Sequence, residues 1–154
     1  MTEVRVVAQV PAPPERAWAA VADLSRFPEW LTLHEAWRGA PPAGLAAGAR
    51  FTSVVRVRGL RNRITWRLDT YDPPASLAIT GKGVGGLHVS LAVAVRPNRR
   101  GSSVSLAAEI TGPPTIGLFG LVIGRAVRAE LDRSAAALAA LLTTCSPPDV
   151  EDQQ

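Results

Sequence analysis

The sequence predicts an α+β domain in which an antiparallel sheet of about seven strands is covered by a long C-terminal helix. Apolar and polar residues alternate through most of the chain, which is typical of strands that bury one face. Turn-forming residues separate these segments at hairpin spacing. From residue 118 the apolar spacing changes to three and four residues, which predicts an amphipathic helix. Because that helix must bury its apolar face against the sheet, a two-layer domain follows.

The chain is predicted to begin with one strand and two short helices. Residues 4–10, VRVVAQV, alternate, and a proline then ends the strand. The sequence PPERAWAAVADLSRF, residues 13–27, predicts a helix with Pro14 in its first turn, where a missing N–H does no harm. Asp23 can cap a second short helix that ends near Trp30.

Six further strands are predicted before the long helix. In RITWRLDTY, residues 63–71, three apolar side chains share one face and the polar residues between them share the other. Gly, Pro and Asn residues between the segments favour tight turns, so neighbouring strands are predicted to run antiparallel in a meander. The predicted strands cover residues 34–39, 50–58, 62–71, 76–82, 87–96 and 103–111.

The last predicted element is one helix from Leu118 to Leu142, whose apolar residues recur on one side. The uncharged stretch before and within its first turns, residues 110–124, is shorter than the roughly 20 apolar residues that cross a bilayer. Two prolines also interrupt this stretch. A membrane-spanning helix is therefore not expected.

Composition predicts one folded domain over residues 1–145 and a disordered acidic tail over residues 146–154. The chain of 154 residues is 47% hydrophobic and 19% charged, which is typical of a globular protein with its own core. Its first residues lack the continuous apolar segment of a signal peptide. The single cysteine, Cys145, cannot form an internal disulfide, which suits a reducing compartment. A cytoplasmic location is expected.

Four segments resemble a known superfamily. The stretches DLSRFPEWLTLHEAWRG, VRGLRNRITW, GKGVGGLHVSL and GPPTIGLFG, in this order of elements, are similar to START-like, or SRPBCC, proteins. That superfamily includes polyketide cyclases, lipid-transfer domains and Bet v 1-like proteins. Within it, the combination resembles an actinobacterial branch named as toxins of type II toxin–antitoxin modules. The resemblance covers residues 3–144 and implies a helix-grip fold, in which a curved sheet wraps around the C-terminal helix and leaves a cavity.

The implied cavity gives a position to the aromatic stretch RFPEWLTLHEAW, residues 26–37. The two short helices of a helix-grip protein lie at one end of the sheet, so Trp30 and Trp37 are expected to line the cavity. A solid core filled by the same aromatic side chains fits the sequence equally well. Strand parity and helix spacing give the other members of the predicted pocket, which consists of Trp30, His34, Trp37, Phe51, Val55, Trp66, Leu68, Ile79, Val89, Leu91, Phe119, Ile123 and Val127.

Residues capable of catalysis are few. His34 is the candidate catalytic residue, because imidazole titrates in the range that suits proton transfer. A structural, hydrogen-bonded histidine at the same position is the alternative. His88 is expected to face outward by strand parity. The histidines and the cysteine do not have zinc-ligand spacing, and the glycines within residues 81–86 lack a phosphate-binding lysine motif, so no metal and no cofactor are predicted.

A basic surface is predicted on the hairpin of residues 50–67, which contains no acidic residue. Like charges that lie side by side repel, so an acidic protein, such as the antitoxin that the resemblance implies, would stabilise them. A solvated surface without a partner is the alternative. Nucleic acid is not favoured, because no recognition helix or aromatic platform accompanies the arginines. The predicted basic surface consists of Arg56, Arg58, Arg63 and Arg67.

The sequence favours a non-enzymatic binding protein that holds a small hydrophobic ligand in the helix–sheet cavity, in the role of a toxin of a toxin–antitoxin pair. The alternative is an enzyme resembling polyketide cyclases or dehydratases that uses the same cavity, in which His34 and an inward-facing Arg, Asp or Tyr71 would position a poly-keto chain. The binding protein is favoured because the inward faces hold few polar groups beyond His34, Ser53 and the indole N–H groups. A toxin that binds a partner without any ligand also fits the fold.

Overall fold

The computed structural model describes residues 2–39, 46–57, 60–83, 85–112 and 117–144. These residues form an antiparallel sheet of seven strands, short helical segments after the first strand, and a long C-terminal helix. In chain order the elements are β1 (Thr2–Val10), α1 (Pro14–Val21), a 3-10 turn (Leu24–Arg26), α2 (Phe27–Trp30), β2 (His34–Arg38), β3 (Arg50–Val57), β4 (Leu60–Asp72), β5 (Ser76–Lys82), β6 (His88–Asn98), β7 (Gly101–Thr111) and α3 (Gly117–Thr144).

The strand order confirms the predicted meander. Strands β2 to β7 follow one another across the sheet, and β1 pairs with β7, so the sheet order is β1-β7-β6-β5-β4-β3-β2. Strand β7 begins two residues earlier than predicted, because the turn after β6 is confined to Arg99 and Arg100. Asn98 shapes this turn: its Oδ1 accepts the N–H of Arg100 at 2.9 Å, and its amide donates to Gln9 at 2.8 Å. The predicted two-layer α+β helix-grip architecture is therefore confirmed.

The helical segment between β1 and β2 differs from the prediction. Asp23 precedes a 3-10 turn, and the second helix is a single turn that begins at Phe27. Pro28 lies in that first turn, where its missing N–H costs no hydrogen bond. The turn buries Phe27 and Trp30 at the end of the sheet.

Helix α3 packs mainly on β1, at one side of the sheet. Its buried face includes Leu131 and Leu138, which are 1% and 0% exposed. Helix α3 also contacts β7, and Val104 of that strand is fully buried. In the part of the chain that the structure describes, no helix is long and apolar enough to cross a bilayer. Cys145 and the predicted acidic tail lie outside the described residues.

Candidate ligand-binding cavity

The curved sheet forms an apolar cavity of about 290 Å³ on its inner face, and this cavity is partly open to solvent. Strands β3 to β7 supply most of the wall, α2 and the residues after it close one end, and α3 contributes Val127. The volume lies near the lower end of the range of small-molecule pockets, roughly 300–1,000 Å³. The inner face of the sheet is therefore divided between a region packed against α3 and a region that faces this cavity.

Nine members of the predicted pocket lie on the cavity wall. They come from β2, β3, β4, β5, β6 and α3, and strand alternation places those of β3 to β6 on the inner face. The nine residues are His34, Trp37, Phe51, Val55, Trp66, Ile79, Val89, Leu91 and Val127. The side chains of Phe119 and Ile123 lie outside what the structure describes.

Two members of the predicted pocket do not line the cavity. Trp30 is 2% exposed and packs edge-on against Phe27 at a centroid distance of 5.8 Å, so Phe27 reaches the cavity instead. Leu68 shares the inner face with Trp66, but it lies further along β4 and is 1% exposed in the packed core. Parity identified the correct face in the case of Leu68 and could not show where along the strand the cavity ends.

The wall also includes residues that the prediction omitted. Asn62 has the same parity as Ile64 and Trp66 on β4, so the alternation rule could have identified both Asn62 and Ile64. Leu87 follows the glycine-rich turn between β5 and β6, and its parity with Val89 and Leu91 could have identified it as well. The omitted wall residues are Phe27, Leu31, Leu33, Ser53, Val57, Asn62, Ile64, Leu87, Ala108 and Ile110.

A bulge in β2 brings His34 and Trp37 to the same wall. Residues three apart in a regular strand face opposite sides of the sheet. Here His34 pairs with Val55 and Ala36 pairs with Val54, so Glu35 is an extra residue in β2. The rings of His34 and Trp37 consequently lie side by side, with their centroids 4.6 Å apart.

An aromatic cluster surrounds Trp37. Its ring stacks on Phe27 with a centroid distance of 5.7 Å, and it meets Phe51 edge-on at 5.7 Å. Such contacts add specific geometry to the burial of large apolar surfaces. The cluster holds Trp37 and His34 in fixed positions at the end of the cavity.

Trp66 lies on another part of the wall and has a hydrogen-bond partner within the protein. Its Nε1–H donates to the Ser53 hydroxyl oxygen at 2.8 Å, and this bond is buried. The indole ring packs over Gly81, the residue paired with Trp66 on β5. A Cβ at Gly81 would lie 2.7 Å from Trp66 Cε3, which is too close for a carbon contact. Gly81 therefore gives the ring its space.

Three buried ring nitrogens have no hydrogen-bond partner among the described residues: Trp30 Nε1, His34 Nε2 and Trp37 Nε1. Two of them, on His34 and Trp37, belong to residues of the cavity wall. Burial lowers the pKa of His34 below its ordinary value, because the charged imidazolium is poorly solvated there. His34 is therefore neutral at pH 7.

Hydrogen bonds fasten the segment between α2 and β2 to helix α3. The backbone N–H of Thr32 donates to the Ser134 hydroxyl oxygen at 2.9 Å. The Thr32 hydroxyl shares its one proton between the backbone oxygen and a side-chain oxygen of Glu130, at 2.8 and 2.7 Å. Ser134 is fully buried, so its bond to Thr32 is shielded from water. These bonds fix the chain that leads into the cavity-lining part of β2.

The outer face of the sheet carries the predicted basic surface, but acidic residues neutralise part of it. Glu35, the bulged residue of β2, contacts Arg61 at 2.9 Å and Arg56 at 3.7 Å. Arg67 pairs with Asp69 at 2.9 Å. The prediction considered residues 50–67 alone and therefore missed both acidic partners. Arg58 lies outside the described residues.

Asp69 is held in its ionised form at the edge of this surface. A hydrogen bond from the Thr80 hydroxyl at 2.7 Å, together with Arg67, lowers the pKa of Asp69 below its ordinary value. Beside this pair, Arg50 lies directly opposite Arg67 in the β3–β4 register. Lys82 and the exposed His88 continue the same outer surface on β5 and β6.

Metal-binding and acid–base groups are scarce around the cavity. Among the described residues, no group of three or more His, Cys, Asp or Glu side chains is placed to hold a metal ion. The described wall contains no Asp, Glu, Lys or Arg. Tyr71 packs against Trp18, with ring centroids 5.9 Å apart, and is not part of that wall.

Comparisons with known proteins identify the family. The chain is 42% identical over 125 residues to Toxin Rv0910 of Mycobacterium tuberculosis, covering 81% of this chain and 87% of that protein. It is 39% identical over 134 residues to the uncharacterized protein Rv1546 of the same species, covering 87% and 94%. The crystal structure of TTHA0849 from Thermus thermophilus shares the fold, with a TM-score of 0.77 and 21% identity over 94% of this chain and 99% of that chain. Residues 1–143 match one family throughout, and the chain belongs to the polyketide cyclase / dehydrase and lipid transport family.

Proposed function

We propose that the protein is a non-enzymatic binding protein that holds a small hydrophobic ligand in the cavity between the sheet and helix α3. The observation that carries this proposal is an apolar space of about 290 Å³ within a domain whose other half is fully packed. Protein interiors normally contain few voids larger than a water molecule. A ligand that fills this space would stabilise the fold, because it removes the apolar wall from water and binds only the folded state.

The wall favours binding over catalysis. A cyclase or dehydratase requires acids, bases or hydrogen-bond donors that converge on reacting atoms. His34 is the one ionisable side chain on the described wall, and burial keeps it neutral at pH 7. Ser53 already accepts a hydrogen bond from Trp66. A cyclase-like reaction in the same cavity remains the alternative, and it predicts turnover of a bound poly-keto chain.

Direct binding of an apolar probe tests the proposal. Ethylnaphthalene, measured by equilibrium dialysis, should bind the native protein at one site. Val89→Phe, which adds a ring at the half-buried wall of β6, should abolish that binding. Val7→Phe is the matched control, because Val7 is 53% exposed on the outer face of β1. Native mass spectrometry of freshly purified protein, followed by organic extraction, should identify a ligand that co-purifies.

Two results would contradict the proposal. The first is no binding of ethylnaphthalene to a folded wild-type protein. The second is equal loss of binding in the Val89 and Val7 variants, which would place the probe outside the cavity. Release of an altered product from a poly-keto substrate would favour the enzymatic alternative.

We also propose that the outer face of the sheet binds an acidic protein partner, as an antitoxin would be. This role is supported by a relative named as a toxin and by cations that have no ion pair among the described residues. These cations are Arg50, Arg63 and Lys82, on β3, β4 and β5. A cytoplasmic location belongs to the same proposal.

Charge removal tests the partner surface. The triple variant Arg50→Gln, Arg63→Gln and Lys82→Gln should weaken binding to the product of the neighbouring gene and reduce its salt dependence. A triple Gln variant of Arg96, Arg99 and Arg100 removes equal charge at or beside the β6–β7 hairpin and is the control. Unchanged affinity in the variant of Arg50, Arg63 and Lys82 would indicate that the basic surface is solvated and binds no partner.

A further inference from the structure

The cavity wall contains hydrogen-bonding capacity that the protein itself does not use. Trp37 Nε1 and His34 Nε2 are buried and have no partner among the described residues. Their rings lie 4.6 Å apart, centroid to centroid, at the same end of the cavity. Buried polar groups are nearly always hydrogen-bonded, because an unmade bond costs the full desolvation of the group. A pair of such groups on the wall of an apolar cavity therefore points to a ligand atom.

The other indoles make this pair distinctive. Trp66 lines the same cavity, but Ser53 accepts its N–H at 2.8 Å, so this indole needs nothing from a ligand. Trp30 also lacks a partner, but it does not line the cavity and a ligand there would not reach it. Only the end formed by Trp37 and His34 combines unmade hydrogen bonds with access to the cavity, among the residues that the structure describes.

The chemistry of these groups limits what they can bind. An indole N–H is a donor and never an acceptor, so the ligand must present an acceptor to Trp37. A neutral imidazole carries one N–H, and His34 adds a second donor when that proton is on Nε2. The described wall has no Lys or Arg to compensate a carboxylate or phosphate. A charged acceptor would therefore lose its hydration without gaining a counter-ion.

We infer that the cavity selects a small apolar molecule with one uncharged hydrogen-bond acceptor, a ketone, aldehyde or ester carbonyl, which Trp37 Nε1–H and His34 Nε2–H anchor. This inference rests on the proposed function of ligand binding. The volume corresponds to that of about ten water molecules, so the ligand is a compact molecule rather than a long acyl chain. The aromatic rings of Phe27, Trp37 and Phe51 favour a flat ligand at this end.

Three matched probes test the inference: acetonaphthone, which carries a ketone; ethylnaphthalene, which lacks the acceptor; and naphthoate, which carries a charge. At pH 7.5 acetonaphthone should bind about tenfold more tightly than ethylnaphthalene, the effect of one to two well-made hydrogen bonds. Naphthoate should bind no better than ethylnaphthalene. The infrared carbonyl stretch of bound acetonaphthone should lie below its value in hexane, which reports the hydrogen bond without any mutation.

Two variants localise the effect. Trp37→Phe keeps an aromatic ring and removes the N–H, so the preference for the ketone over the hydrocarbon should shrink to about threefold or less. Trp66→Phe removes an N–H that Ser53 already occupies and should keep the preference, even if both affinities fall. Comparing the ratio of the two affinities cancels any change in cavity volume.

The outcomes separate this inference from the proposed function. Equal affinities for ketone and hydrocarbon, or an unshifted carbonyl stretch, would overturn the inference and leave hydrophobic binding intact. Tightest binding of naphthoate would also overturn it. Failure of all three probes to bind folded protein would overturn the proposed function and the inference together.

Discussion

The two halves of the inner sheet face are built from the same alternating pattern but have different surroundings. On the β1–β7 side, helix α3 covers the sheet, and Val104, Leu131 and Leu138 are at most 1% exposed. On the β3–β6 side, inward residues such as Val89 and Leu91 stay half-buried and face the cavity. The difference arises because helix α3 packs mainly on β1 and leaves most of the inner face of β3 to β6 uncovered. Apolar side chains thus form a core in one half and the wall of a cavity in the other.

Replacing one leucine by alanine in each half compares the packing of the two halves most directly. Leu131→Ala should lower the free energy of unfolding by about 2–5 kcal/mol, because it leaves a void in close-packed surroundings. Leu91→Ala should cost less than about 2 kcal/mol, since it enlarges a space that already exists. Urea denaturation of both variants measures the difference. Equal losses would mean that the cavity half is packed as tightly as the helix-covered half.

Gly81 tests how closely the cavity half is fitted around Trp66. Gly81→Ala would place a Cβ 2.7 Å from Trp66 Cε3 and closer still to Ile64. We expect a loss of about 1–3 kcal/mol, as for other overpacked sites. Because the displaced indole would move into the cavity, ethylnaphthalene should also bind more weakly. Gly85 has a φ of +79°, a conformation that strains an alanine, so Gly85→Ala is a poor control. Ala78→Gly, on the outer side of β5, is preferable.

Acidification should produce the smallest effect, and His34 is the group responsible. The unfolded chain has an ordinary His pKa of about 6.5, whereas burial lowers the pKa of His34 in the folded protein. The unfolded state therefore takes up its proton first, and stability falls as the pH drops below about 6.5. His34→Gln should lose less stability than the wild type between about pH 7 and pH 5.

The matched control for that experiment is His88→Gln, because His88 is exposed on the outer face of β6. Identical pH profiles for wild type and His34→Gln would show that the pKa of His34 is the same in the folded and unfolded states. Asp69 affects the stability of the protein in a different pH range from His34. Its lowered pKa contributes stability above the ordinary Asp value of about 3.9, and this contribution is lost only as the pH falls below it.

Local sequence rules predicted the elements well and the edges of the site less well. The period-two segments gave all six strands after β1, and the helical period gave α3. The bulge at Glu35 could not be predicted, because it depends on how β2 pairs with β3. The same bulge turns Glu35 toward Arg56 and Arg61, so the charge of the basic surface was overestimated. Trp30 was assigned to the cavity because the resemblance places the two short helices at its end, but that placement does not show which side of α2 faces the cavity.

The sequence by itself determined the order of the elements, the inner face of the regularly alternating strands and the need for one long helix to cover the sheet. These features depend on local periods of two and 3.6 residues, which side-chain burial imposes wherever the chain folds. Only the tertiary structure decided where α3 lies on the curved sheet, and so which inward residues are core and which line the cavity. It also decided which indole nitrogen finds a partner: Ser53 lies next to Trp66 through strand pairing, whereas Trp37 faces the cavity. Both outcomes depend on distances between residues far apart in the chain, which no local pattern encodes.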